Sequence, residues 1–209
     1  IEWTIETELV DCVAVFPDGT HFVVGTEHDK VYLYRIDGTL VHTFHHTFQG
    51  YSHYVLTVAA TPDNQHIISG DGSGAVKVWS FASKSLVSTC EGHAGGVFVV
   101  AAMPDGERFL TGSRDCTVRV WRLNGIHVKT HRLHTNELTA LVALSDNVRA
   151  ISSSVDKTVI VFNIVNGDVL QTYELSTGWV LCLAVLSDKG HLVMGDDRGI
   201  IRIADIDPV

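Results

Sequence analysis

Five segments of this sequence lie over one another without a gap: VGTEHDKVYLY (24–34), SGDGSGAVKVW (69–79), TGSRDCTVRVW (111–121), SSSVDKTVIVF (152–162) and MGDDRGIIRIA (194–204). Their starts are 45, 42, 41 and 42 residues apart. A second element keeps step upstream of each: VAVFPDG (13–19), VAATPDN (58–64), VAAMPDG (100–106), VALSDN (142–147) and AVLSDKG (184–190). Two independent elements on one period mark a repeat architecture, in which each unit buries its apolar face against its neighbours.

Each unit reads as β-structure. In the third, the apolar run GVFVVAAM (96–103) is closed by a Pro-Asp-Gly turn. Proline fixes φ there, and Asp and Gly accept turn geometry. The run ERFLTGS follows and turns at RDC, and TVRVW then alternates apolar and polar side chains as a half-buried strand does. A fourth, more polar strand recurs as LVHTF (40–44), LVSTC (86–90), HVKTH (127–131) and VLQTY (169–173). No 3.6-residue apolar period competes. Four short strands per unit, stacked radially, make a propeller blade. The expected fold is therefore an all-β propeller of five four-stranded blades in one domain, 1–209. Its repeats run approximately over 1–39, 40–84, 85–125, 126–167 and 168–209. The chain starts near a fourth-strand end and stops just after a third strand, a phase that permits an N-terminal strand to close the last blade, although residues 1–4 are barely long enough.

Composition narrows the function. Apolar residues make up 45% and charged residues only 19%, with 18 Gly and 4 Pro, which suits tightly turned β-structure. A formal charge of −9 argues against a nucleic-acid backbone or an anionic membrane as the main partner. No apolar run approaches the ~18 residues that span a bilayer. The start, IEWTIETE, has neither Met nor a signal-peptide core, as in an excised or processed segment. Four scattered cysteines (Cys12, Cys90, Cys116, Cys182) make no disulfide scaffold. Reduced thiols in an intracellular, cytoplasmic or nuclear protein are expected. Among twelve histidines, His42, His45, His46, His127, His131 and His134 cluster in sequence. No carboxylate or Cys joins them at ligand spacing, so neither a metal nor a cofactor is expected. GDGSG (70–74) leads into a strand rather than a helix and is read as a turn, not a phosphate cradle.

Gly92-His93 followed by TGSRDCTVRVW resembles the G-H…W-D signature of the WD40-repeat family, although Arg122 stands where the family has Asp. The resemblance covers essentially the whole chain, and because propellers of this family are mostly seven-bladed it implies part of a larger, seven-bladed ring rather than a closed five-bladed one. It implies a buried hydrogen-bond chain of His93, Thr111, Asp115 and Trp121 in the third repeat. In the fourth, His134, Ser152 and Asp156 correspond, with Phe162 in the Trp position. The other repeats are degraded: Tyr51, Ser69, Ser73 and Trp79; Glu6, Val24, His28 and Tyr34; Ser176, Met194, Arg198 and Ala204. Asp29 and Asp197 lie one residue off the Asp position. Thr, His and Asp are also the material of a catalytic triad, but a triad needs an exposed nucleophile and an oxyanion hole. A Thr midway along a buried strand offers neither, so the chain is read as structural.

The resemblance further implies a non-enzymatic scaffold or adaptor that binds a protein or peptide on the rim of the central channel. Three positions per blade feed such a rim: Leu9, Asp11 and Glu27; Tyr54, Leu56 and Gly72; Gly96, Phe98 and Arg114; Glu137, Thr139 and Val155; Trp179, Leu181 and Asp197. The expected binding residues are Tyr54, Leu56, Phe98, Arg114, Glu137, Trp179, Leu181 and Asp197, because aromatics and Arg dominate binding hot spots. Two alternatives remain open. The blades are structural parts of a longer protein, with the missing blades as partners, or the channel holds an enzymatic site built from Asp11, Glu27, Glu137 and Asp197.

Overall fold

The computed structural model describes residues 4–5, 7–47, 50, 53–175, 178–186 and 190–206. The structure is five antiparallel sheets and no helix among these residues. Blade one is β1 (Val10–Val15), β2 (His21–Thr26), β3 (Lys30–Arg35) and β4 (Leu40–His45). Blade two is β5 (Val55–Ala60), β6 (His66–Asp71), β7 (Val76–Ser80) and β8 (Leu86–Cys90). Blade three is β9 (Val97–Ala102), β10 (Arg108–Ser113), β11 (Val118–Arg122) and β12 (His127–His131). Blade four is β13 (Leu138–Ala143), β14 (Arg149–Ser154), β15 (Thr158–Asn163) and β16 (Val169–Glu174). Blade five has three strands among the described residues, β17 (Val180–Val185), β18 (His191–Asp196) and β19 (Ile201–Asp205), not the four expected. Sheet and sequence repeat are out of phase: β4 opens the second sequence repeat yet completes the first sheet.

Left-handed residues recur with the period and fix the turns. Asp29, Gly74, Cys116, Lys157 and Gly199 all have positive φ in the turn between second and third strands. Gly19, Asn64, Gly106 and Asn147 do the same between first and second strands. Gly and Asn tolerate this conformation best.

The strands alternate between two cores, as a period of two requires. In β6, Ile67 joins Val23, Val31 and Leu33 of blade one, while Ile68 joins Val97, Val100 and Trp121 of blade three. Blade three meets blade four through Leu110, Val118 and Val120 against Leu138, Leu141 and Phe162. Blade four meets blade five through Ile151, Val159 and Val161 against Val180, Leu192 and Met194. Each such fully buried Val or Leu contributes about 1.5–3 kcal/mol. Glycines let the sheets close up: a Cβ on Gly70 would stand 2.8 Å from Val97 Cγ1.

The first strands β1, β5, β9, β13 and β17 pack side by side in that order and form the inner layer. No packing of comparable extent joins β17 back to β1, so the described blades form an open arc.

Candidate functional site

Every inner strand begins with the same irregularity. Its pairing with the second strand skips one residue, between Val10 and Cys12, Val55 and Thr57, Val97 and Val99, Leu138 and Ala140, and Val180 and Cys182. The skipped residues are Asp11, Leu56, Phe98, Thr139 and Leu181. A bulge leaves its extra residue unpaired and re-aims its side chain. Two residues before each bulge, a backbone carbonyl accepts from the tip of the second strand. The pairs are Glu27 N to Leu9 O (3.2 Å), Gly72 N to Tyr54 O (3.0 Å), Arg114 N to Gly96 O (2.9 Å), Val155 N to Glu137 O (3.0 Å) and Asp197 N to Trp179 O (3.0 Å). The three rim positions of each blade are thus tied together by backbone, at one end of the inner layer.

The side chains there are apolar and acidic. Tyr54 and Trp179 are about half exposed, Leu181 is exposed, and Leu56 and Phe98 are half-buried. A cleft of about 430 Å³ lies between His53, Tyr54, Leu56 and Gly72. Arg114 reaches across to blade four, its Nε 3.0 Å from Glu137 Oε1. Asp197 Oδ1 accepts from Trp179 N at 2.8 Å, which holds the loop carrying that ring. A larger cleft, about 550 Å³, lies at the opposite end of blades four and five, lined by Val142, Leu144, Asp146, Arg149, Val185 and Leu186. It shares no residue with the rim.

Behind the rim, blade three carries a continuous chain of hydrogen bonds. His93 Nδ1 is 2.8 Å from Asp115 Oδ2, and Nε2 is 2.7 Å from Thr111 Oγ1. Trp121 Nε1 donates to Thr111 Oγ1 at 2.9 Å. The network fixes the tautomer: Nδ1–H donates to the carboxylate, and Nε2 accepts the hydroxyl proton. Asp115 also accepts from Ala94 N, Thr117 N and Thr117 Oγ1. Burial alone would raise the Asp115 carboxyl, but the bonds from His93, Thr117 and Ala94 outweigh it and hold it well below the usual carboxylate range. Thr111 is fully buried with its proton committed to His93, so it faces no substrate.

Blade four repeats this with His134 Nδ1 3.0 Å from Asp156 Oδ2 and Nε2 2.8 Å from Ser152 Oγ. Phe162 supplies no donor, and the chain ends at Ser152. Burial lowers the His134 pKa, against the pull of Asp156.

Blade two departs from the residues assigned by alignment. Tyr51, set in the His position, lies outside the described residues, as do Glu6 and Ser176. The buried imidazole is His46, whose Nε2 lies 3.1 Å from Ser69 O and whose Nδ1 lies 3.4 Å from Asp71 Oδ2. Asp71 rather than Ser73 is the main turn acceptor: Ser73 N, Ser73 Oγ and Ala75 N all donate to Asp71 Oδ1, and Ser73 Oγ accepts only a longer bond from Ala75 N, at 3.4 Å. Trp79 Nε1 donates to Ser69 Oγ at 2.8 Å. The signal was the 45-residue first interval, three longer than the next. The extra residues fall between His46 and β5 and slide the histidine upstream.

The end blades substitute other groups. In blade five, Asp196 rather than Arg198 or Asp197 holds the turn, accepting from Ile200 N and Arg198 N and pairing with Arg202 Nη1 at 2.9 Å. In blade one, Glu8 pairs with Lys30 and accepts from Thr26 Oγ1 at 3.5 Å.

The clustered histidines find other work. His131 Nε2 lies 2.9 Å from Ile164 O, His127 Nε2 lies 2.9 Å from Thr130 Oγ1, and His42 meets the Phe44 ring edge-on. Among the described residues, no group of three or more His, Cys, Asp or Glu is placed to hold a metal ion. All four cysteines are free, and burial pushes Cys12 up to about 12 and Cys90 to about 11.

The family described as WD domain, G-beta repeat (WD40) matches residues 38–80 and 84–122. The probable coatomer subunit beta' of Schizosaccharomyces pombe is 31% identical over 162 residues, 76% of this chain and 20% of that protein. A solved structure described as that of U3-55K superposes with a TM-score of 0.87 at 24% identity, covering 97% of this chain and 62% of that one. That second likeness is one of fold. The chain spans about one fifth of the curated relative's length. With one blade recurring through five sheets and two repeats matched by the family model, the fold is a β-propeller of WD40 type.

Proposed function

We propose that this chain is a non-enzymatic scaffold that holds a protein or peptide partner at the bulged end of its inner strands. WD40 propellers are typical of protein–protein interaction scaffolds. The observation that carries the reading is the five-fold bulge, which turns one side chain per blade out of the ladder beside the exposed Tyr54 and Trp179. Rigid aromatic side chains on a fixed backbone bind with little entropy loss. Asp11, Glu27 and Asp197 make the rim acidic, with Arg114 engaged by Glu137. A partner with apolar anchors and basic flanks fits it, and a phosphopeptide does not.

Replacing Tyr54, Phe98, Arg114 and Trp179 together by Ala is expected to abolish capture of the partner, read by mass spectrometry of co-purified proteins, while the melting curve stays close to wild type. Unchanged capture would sink the assignment. A second reading, structural blades within a longer protein, draws on the curated relative, which is named as a subunit and is matched over one fifth of its length. Free thiols at all four cysteines fit a cytoplasmic setting.

A further inference from the structure

Blade two leaves an opening in the rim. The cleft bounded there by His53, Tyr54, Leu56 and Gly72 holds about 430 Å³, within the range of about 300–1,000 Å³ typical of ligand clefts. Rim residues pair across the junctions between blades. Arg114 of blade three meets Glu137 of blade four at 3.0 Å. The equivalent pair between blades two and three is Gly72 and Gly96, so close that a Cβ on Gly96 would stand 3.3 Å from Gly72 Cα. The same register sets Glu27 of blade one against Tyr54.

The fold does not require glycine at 72. Gly25, Gly70, Gly112 and Gly195 have no room for a Cβ, whose nearest neighbour would lie at 2.6–2.8 Å, and Gly19, Gly74, Gly106 and Gly199 hold positive φ. Gly72 is under neither constraint: its φ lies outside the left-handed region, and a Cβ would meet Leu56 Cδ1 at an ordinary 3.9 Å. The other blades carry Glu27, Arg114, Val155 and Asp197 at this place. What the missing side chain does is open the cleft beside the exposed Tyr54 ring.

The polar groups around the opening are of one kind. The Gly72 carbonyl accepts no hydrogen bond among the described residues. Asp11 and Glu27 carry no ion pair among them, while Arg114 on the far side is held by Glu137. The opening presents acceptors and negative charge to whatever enters it.

With the rim taken as the binding face, on which this inference rests, the geometry points to a subsite for a tryptophan side chain of the partner, flanked in the partner's chain by a lysine or arginine. An indole is flat enough to lie over the bare Gly72 backbone, and it offers the Tyr54 ring an offset or edge contact. Its one N–H donates to the Gly72 carbonyl. The flanking cation reaches Glu27 and the face of Tyr54. An aliphatic side chain fills the same space but leaves the carbonyl unpaired.

The probe is acetyl-Lys-Trp-amide, titrated into the 209-residue chain and followed by amide NMR. Saturable shifts are expected at Leu56, Gly72 and Gly96. Acetyl-Lys-Leu-amide and acetyl-Glu-Trp-amide should each bind about fivefold more weakly, one hydrogen bond or one ion pair poorer. Gly72→Val, which places the side chain of blade four here, should weaken the probe by about fivefold or more with the melting temperature close to wild type. No saturation at Gly72, equal affinity for either control, or unchanged affinity in Gly72→Val overturns the subsite. The variant lacking Tyr54, Phe98, Arg114 and Trp179 reads the rim separately. Partner capture lost there, without probe binding at Gly72 in the wild type, overturns the subsite and leaves the rim standing. Capture retained there, with probe binding at Gly72 in the wild type, overturns the rim reading and upholds the subsite.

Discussion

Blades three and two solve the same problem with different residues. Both end their third strand on a tryptophan that donates to a hydroxyl, Trp121 to Thr111 and Trp79 to Ser69. In blade three the links run in series, from indole through hydroxyl and imidazole to Asp115. In blade two they run in parallel. His46 bonds to a backbone carbonyl, and among the described residues neither His46 Nδ1 nor Asp71 Oδ2 has a hydrogen-bond partner, the two atoms standing 3.4 Å apart. What stays constant is the carboxylate over the turn. Asp71, Asp115, Asp156 and Asp196 each accept from the same backbone N–H at the third strand's start: Ala75, Thr117, Thr158 and Ile200. Two of these carboxylates sit two residues earlier in the repeat than the other two. The turn cap is the conserved physics, and the histidine link is an addition to it.

Removing each carboxylate tests that ranking with the largest expected effect. Asp115→Ala unpairs His93, Ala94 N and both Thr117 donors, and should cost about 3 kcal/mol. Asp71→Ala unpairs two backbone N–H groups and a serine hydroxyl but no hydrogen-bonded imidazole, and should cost about 2 kcal/mol. Urea midpoints at constant slope measure both. Equal losses would mean that the series link in blade three adds nothing.

Acid separates the histidines from the carboxylates. Burial depresses the folded pKa of His134, and of His131, so each contributes stability above about 6.5 that is lost as pH falls through the folded value. Asp71, Asp115 and Asp156 are also depressed, each by bonds that outweigh burial. Their contribution is complete above about 3.9 and is lost only below it. Acidification from pH 7 to 5 should therefore destabilise the protein through the histidines first, by at most about 1.4 kcal/mol for each unit of depression. His134→Gln should flatten the dependence of melting temperature on pH across that window. An unchanged slope would show that His134 titrates alike folded and unfolded.

The blade pattern was legible in the sequence because its causes are local: alternation of apolar residues, Pro-Asp-Gly turns and left-handed turn positions recur within each 41–45-residue unit. Blades three and four keep the 22-residue spacing from His to Asp, and their four partners fall where the spacing puts them. Blade two was misread because an ungapped alignment cannot see a lengthened loop, and because a carboxylate at residue 71 reaches the N–H that one at 115 reaches from two residues further on. Which copy of a repeated residue is buried was not legible, because burial is not a local property. Val10 and Val55 are the same residue in the same local context, and only a neighbouring blade decides which is buried.

The indole donors give a smaller, opposed pair. Trp121→Phe leaves Thr111 bonded to His93, and should cost about 0.5 kcal/mol beyond repacking. Trp79→Phe removes the one side-chain partner that the buried Ser69 hydroxyl has among the described residues, and should cost about 1 kcal/mol. Blade four, with Phe162 in this place, is the natural version of the first change. Thermal unfolding of the two variants decides it: a larger loss from Trp121→Phe would show that the series chain is cooperative enough to fail as a unit.

The smallest stability effect lies one residue from the largest. Arg114 pairs with Glu137 across blades three and four at 3.0 Å, but its side chain is 68% exposed. An exposed pair of this kind is screened by water and contributes about 0.5 kcal/mol or less. Arg114→Ala should leave the urea midpoint nearly unmoved while weakening capture of a rim partner, because it removes a planar cation and frees the Glu137 carboxylate at the bulged end. Asp115→Ala should do the reverse within a folded population, lowering the midpoint while the surviving folded protein still binds. The two residues are adjacent in sequence, and the turn sends one into the blade and the other out over the rim. Matched losses of stability from both would mean that this turn does not divide architecture from binding.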